Sequence, residues 1–151
     1  IGSLSYHIGE EDRHHGYYAV GYALGSSPSE TSADKTFNYA LWTLIEQPLL
    51  HIGESHLGAM WQGGTSPASR STCRHYWGAG LIWSNIPPRM TQVGLVVNRA
   101  LYADGRETDV ELTGSFPVCN HFTLQPAVHC INTNGNYTAA AQLRAILEFG
   151  N

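Results

Sequence analysis

Charge is scarce in this sequence. Asp, Glu, Lys and Arg make up 13% of its 151 residues, about half the ~25% usual for soluble domains. The hydrophobic fraction is nonetheless ordinary at 42%. Scarce charge without excess apolarity fits a chain whose surfaces divide into apolar and neutral-polar faces, and it also fits a soluble β-sandwich. No apolar run reaches the roughly 18 residues of a spanning helix. A net charge of −4 and a pI near 6.0 give no reason to invoke nucleic acid. The three cysteines, Cys73, Cys119 and Cys130, are too few for a disulfide framework. Cys119 and Cys130 fall near the two ends of one expected strand, beyond bridging reach at ~3.3 Å per residue. Cys73 with Cys119 stays open, and most or all of the thiols are expected free. No signal peptide is visible at Ile1, so an exported protein would be a mature chain or a piece of a longer one.

Chemistry-bearing motifs are also missing. There is no G-x-S-x-G elbow, no Walker sequence and no dinucleotide fingerprint. The sequence holds eight histidines, but His14 and His15 are adjacent and point to opposite faces of any strand. His51, His56, His75, His121 and His129 show neither H-x-x-x-H nor finger spacing. His121 and His129 share a face but lie about 26 Å apart along a strand. The spacing therefore predicts no metal site and no cofactor. Glu107 and Glu111 share a parity and have the residue types of an acid–base pair. The simpler reading is a polar wall, and the expectation is that the chain is not an enzyme.

What is present is alternation. Side chains alternate across a strand, so a period of two marks a sheet with two unlike faces. Over 107–116, Val110, Leu112, Gly114 and Phe116 oppose Asp109, Glu111, Thr113 and Ser115. Over 119–131, Phe122, Leu124, Pro126, Val128 and Cys130 oppose His121, Thr123, Gln125, Ala127 and His129. Pro117 and Val118 between them are read as a hairpin turn. The same alternation runs through 16–24, 37–46, 56–62, 74–84 and 91–102, with a weaker strand over 1–9. Polar, turn-rich connections cover 10–15, 25–35, 63–72, 85–90 and 132–137; shorter turns cover 48–53 and 103–105. Segment 138–149 is ambiguous: Ala139, Leu143, Ile146 and Leu147 also make a helical stripe, and its Ala, Gln, Leu and Arg favour helix. The whole chain, 1–151, reads as one all-β unit of eight or nine strands, a sandwich or a barrel.

The last third, with the segment before it, resembles the carbohydrate-selective outer-membrane porins, the OprB-like family. The carrying residues are Gly78-Ala79-Gly80-Leu81-Ile82-Trp83-Ser84, Ile86-Pro87-Pro88-Arg89, Glu107 with Glu111-Leu112-Thr113, Thr123-Leu124-Gln125-Pro126, Asn132-Thr133-Asn134-Gly135, and the stretch from Leu143 to Phe149. It departs from that pattern at Thr91, Gly114, Ala127 and His129, and two residues follow Phe149. The resemblance implies an antiparallel transmembrane β-barrel, with this chain as the C-terminal half of a sixteen-stranded porin in a bacterial outer membrane. It turns 138–149 into a closing strand. It implies passive, sugar-preferring diffusion of small solutes, contact with outer-membrane lipid, and a homotrimer or larger membrane assembly. Two alternatives stay open: a complete eight-stranded barrel with a structural or adhesive role, and a soluble sandwich or lipocalin-like binder.

On the barrel reading, Val93, Leu95, Leu112, Leu124, Leu143, Leu147 and Trp83 face lipid. The pore-lining candidates are Glu46, Asn98, Asp109, Glu111, Gln125, His129 and Arg144, with Gln62 beside them and Trp42 and Tyr17 as apolar platforms for a sugar ring. Glu111, Gln125 and Arg144 lie on three consecutive strands and form one polar cluster if the register aligns them. The alternative for each residue is a wall side chain bonded to its neighbours.

Overall fold

The computed structural model describes residues 1–8, 16–28, 35–67, 72–88 and 90–148. They form nine strands in a single sheet: β1 (Gly2–Ile8), β2 (Gly16–Pro28), β3 (Lys35–Ile52), β4 (Ser55–Thr65), β5 (Cys73–Ile86), β6 (Met90–Tyr102), β7 (Arg106–Cys119), β8 (Phe122–Thr133) and β9 (Asn136–Leu147). Each pairs antiparallel with its neighbour in the chain, in the order β1 to β9. No helix occurs among the described residues. The ambiguous segment is therefore a strand over 138–147, paired there with β8. The sheet is not closed, because β1 and β9 are edges with one partner each. There is no second layer, so the described residues do not make a sandwich.

Several boundaries move. Pro117 and Val118 lie inside β7, with Pro117 opposite Thr123 and a bulge before Cys119; the turn is Asn120–His121. A bulge absorbs a residue that cannot donate to the ladder, so proline here interrupts the pairing without ending the strand. Cys119 thus ends β7 rather than beginning β8, and no disulfide joins any of the three cysteines. Pro48 likewise sits at a bulge in β3 rather than in a connection. The expected connections over 10–15, most of 25–35 and part of 63–72 lie outside the described residues, as do Arg89 and the closing aromatic Phe149.

The register carries one kind of side chain across the whole sheet. Tyr6, Tyr18, Ile45, Trp61, Ala79, Val97, Val110, Cys130 and Ala139 form one continuous cross-strand row. On the opposite face run His7, Tyr17, Glu46, Met60, Gly80, Val96, Glu111, His129 and Ala140. The apolar face is the more exposed one: Leu112 is 54% exposed, Leu143 67% and Trp83 45%. Ala19 and Ala127, both on the other face, are 5% and 7% exposed. Side chains crowd on one face and splay on the other, so the sheet curves toward the polar face. Among the described residues no large side chain is fully buried. The accessible surface is 10762 Å², roughly 1.4 times the ~7,500 Å² of a compact monomer of this mass.

The β8–β9 turn has two residues, Asn134 and Gly135, between the paired Thr133 and Asn136. Asn134 and Gly135 both have positive φ, 53° and 95°, as a two-residue turn matched to strand twist requires. Asn132 Oδ1 accepts from the Gly135 N–H at 2.9 Å, and Asn134 Oδ1 accepts from the Arg106 N–H at 2.8 Å. The turn is thereby tied to the β6–β7 turn beside it. Placing a β-branched residue at φ 95° is strained. Gly135→Val is expected to lower stability by about 1–3 kcal/mol, read as a shift in the chemical unfolding midpoint, with Thr133→Val much milder.

Candidate functional site

The polar face carries a band of polar side chains from β4 to β8, in two hydrogen-bonded groups. Gln62 on β4, Gly78 on β5, Asn98 on β6 and Asp109 on β7 are successive register partners. Because Gly78 has no side chain, Gln62 and Asn98 approach each other across β5: a Cβ at Gly78 would collide with Asn98 Oδ1 and crowd Gln62. Gln62 Nε2 donates to Asn98 Oδ1 at 3.4 Å and also to the Tyr76 hydroxyl. Tyr76 Oη in turn donates to Asn98 Oδ1 at 2.7 Å. One row along, His129 Nδ1 donates to Asp109 Oδ2 at 3.1 Å. Glu111 is the register partner of His129, and ligand atoms of Asp109, Glu111 and His129 lie within 4.8 Å of one another.

The expected three-residue cluster divides. Gln125 pairs with Arg144, and Glu111 pairs with His129. Gln125 and His129 are four residues apart on β8, about 13 Å. Glu111 therefore groups with Asp109 and His129, while Gln125 and Arg144 form a separate pair nearer the β7–β8 turn. Asn98 joins the band as a double acceptor. Glu46 lies in the Glu111 row, four strands away on β3 and exposed, with Tyr17 opposite it. Trp42 lays its ring across Gly21, where a Cβ would strike the indole, and is 37% exposed. Both are on the polar face, away from the band. Tyr76 is the residue that sequence reasoning missed. Its signal was its parity, two positions from Gly78 and opposite to the neighbouring Trp77.

Small residues hollow this face. A depression of about 220 Å³ forms over Gly94, walled by Ile82, Gln92, Thr113, Ser115 and Gln125. A second, about 280 Å³, forms over Gly58, walled by Glu46, His56, Met60, Ser84 and Gln92. The arrangement offers recesses beside amides, a carboxylate and an imidazole. Such groups bind neutral polyols and cations by hydrogen bonds and charge. No protein-family model, curated protein or solved structure matches the chain.

The Gln62–Tyr76–Asn98 bonds give a stability test. Tyr76→Phe keeps the ring and removes the hydroxyl that both bonds share. It is expected to lower stability by about 0.5–1.5 kcal/mol, measured by chemical unfolding. In an Asn98→Ala background the same change should have a smaller effect.

Proposed function

We propose that the chain forms part of an outer-membrane β-barrel of the carbohydrate-porin type, the C-terminal half of about sixteen strands, through which sugars and other small solutes diffuse. The observation that carries this reading is the inverted distribution of side chains. The splayed face is apolar and exposed, with Trp61, Trp77, Trp83, Leu81, Leu95 and Leu112 on it, while the sheltered face holds the polar band. Water penalises that arrangement, and a bilayer outside an aqueous lumen favours it. The strands from β2 to β9 are 11 to 18 residues long, enough for the roughly 9–11 tilted residues of a crossing.

The edges support a half-barrel over a complete small one. Nine strands in an antiparallel meander leave β1 and β9 pointing the same way. Closing the sheet on itself would join them in parallel, whereas bacterial single-chain barrels are antiparallel with even strand numbers. Further strands must then satisfy both edges, because hydrocarbon offers the free N–H and C=O groups no partner. The hollows over Gly58 and Gly94, the amides of Gln62, Gln92 and Gln125, and the Trp42 ring are the surfaces that meet the sugar.

Facing is tested by charge. Leu112→Arg on the exposed face is expected to cost about 2–4 kcal/mol in a bilayer, and Thr113→Arg on the other face much less, by unfolding from lipid vesicles. Equal costs would remove the lipid face.

Function is tested by permeation. In planar bilayers the protein should form a water-filled channel, and liposomes containing it should admit glucose. Glu111→Ala removes a lumenal anion and should shift the zero-current potential in a salt gradient toward anion preference. Arg144→Ala should shift it the other way. Absence of any channel would defeat the porin reading.

A further inference from the structure

We infer that Asp109, Glu111 and His129 form a three-ligand binding site for a first-row divalent transition metal ion, with Zn²⁺ as the reference ion. The inference does not rest on the porin reading, since it needs only the β7–β8 register. Asp109 and Glu111 are two residues apart on β7 and so share a face. His129 is placed directly opposite Glu111 on β8 and reaches diagonally to Asp109. One donor atom from each lies within 4.8 Å of the others.

Bonds of about 2.0–2.2 Å to imidazole nitrogen and carboxylate oxygen place donors roughly 3.4 Å apart around a tetrahedral ion. Side-chain rotation of about 1.4 Å or less closes that gap without moving a strand. Among the described residues no Lys or Arg ion-pairs with either carboxylate. Their register neighbours Asn98, Val96 and Ile131 carry no positive charge. The two carboxylates are thus offset only by the imidazole. Asp109 Oδ1 is shielded from solvent and accepts no hydrogen bond, which is costly for a carboxylate oxygen unless a cation or donor meets it. The Asp109 and His129 side chains are 21% and 19% exposed, open enough for an ion to enter from the polar face. One nitrogen and two carboxylates suit a borderline ion such as Zn²⁺. Ca²⁺ needs six to eight oxygens, and Mg²⁺ a near-octahedral oxygen shell. Three protein ligands leave the fourth position to water.

The test is Zn²⁺ titration of the folded full chain by calorimetry, with Co²⁺ absorption as a geometric check. One saturable site is expected, with a tetrahedral Co²⁺ spectrum. His129→Gln and Glu111→Gln should each weaken the site at least tenfold while circular dichroism shows the strands intact. His121→Ala, at the β7–β8 turn, should leave it unchanged. The inference is overturned if the folded protein shows no saturable site. It is equally overturned if binding survives His129→Gln undiminished, which would assign the uptake to other histidines and leave His129–Asp109 a hydrogen-bonded pair only.

Discussion

The ladder between neighbouring strands is the interaction on which everything else in this molecule depends. Among the described residues there is no packed interior to fall back on: no large side chain is fully buried, and no second layer covers the sheet. A strand is held by the hydrogen bonds to its two neighbours and by the side chains those bonds set opposite its own. Register therefore does the work that core packing does in a globular domain. A slip of one residue would exchange the faces, putting Asp109 and Glu111 among the exposed leucines and tryptophans. The bulges at Pro48 and Pro117 matter for the same reason, since each absorbs an irregular residue while the alternation continues beyond it.

That dependence explains how much of the fold was legible. Period two was present in nearly every segment, and the meander follows from it, because hairpins are the cheapest way to pair successive strands. Helix propensity would have misassigned residues 138–147. Their Ala, Leu, Gln and Arg form good helices in isolation, but β8 offers a pairing edge along that stretch, and tertiary pairing overrode propensity. Proline was the misleading signal in the turns. Pro117 reads as punctuation, yet at a bulge it needs no ladder partner, and the chain turns three residues later. Asn134-Gly135 was the honest marker, since only residues tolerant of positive φ fit both turn positions.

The site was legible only in part, for a specific reason. Parity tells which face a residue occupies, and it put Asn98, Asp109, Glu111, Gln125, His129 and Arg144 on one face together. Parity does not tell how far along the neighbouring strand a partner sits. That depends on the length and type of each turn, which is where the boundaries were least accurate. With the turn at Asn120–His121, Glu111 lies opposite His129 rather than near Gln125. The same blind spot hid the three-ligand grouping, because linear spacing cannot find ligands brought together across a hairpin. Tyr76 was overlooked because its neighbour Trp77 drew attention to the opposite face.

Glycine and alanine on the polar face connect these points. Gly78 leaves the room in which Gln62 and Asn98 meet, and Gly21 lies under Trp42. Gly58 and Gly94 open the two hollows. In each case a missing side chain on one strand is filled, or left open, by what its neighbours contribute. On a sheet that curves toward this face, side chains converge, so small residues are what allow large polar ones to coexist there. The same curvature separates the apolar residues on the other face, which exposes more of each. The apolar exposure and the polar crowding are thus two consequences of one curvature, and both follow from where the small residues fall in the register.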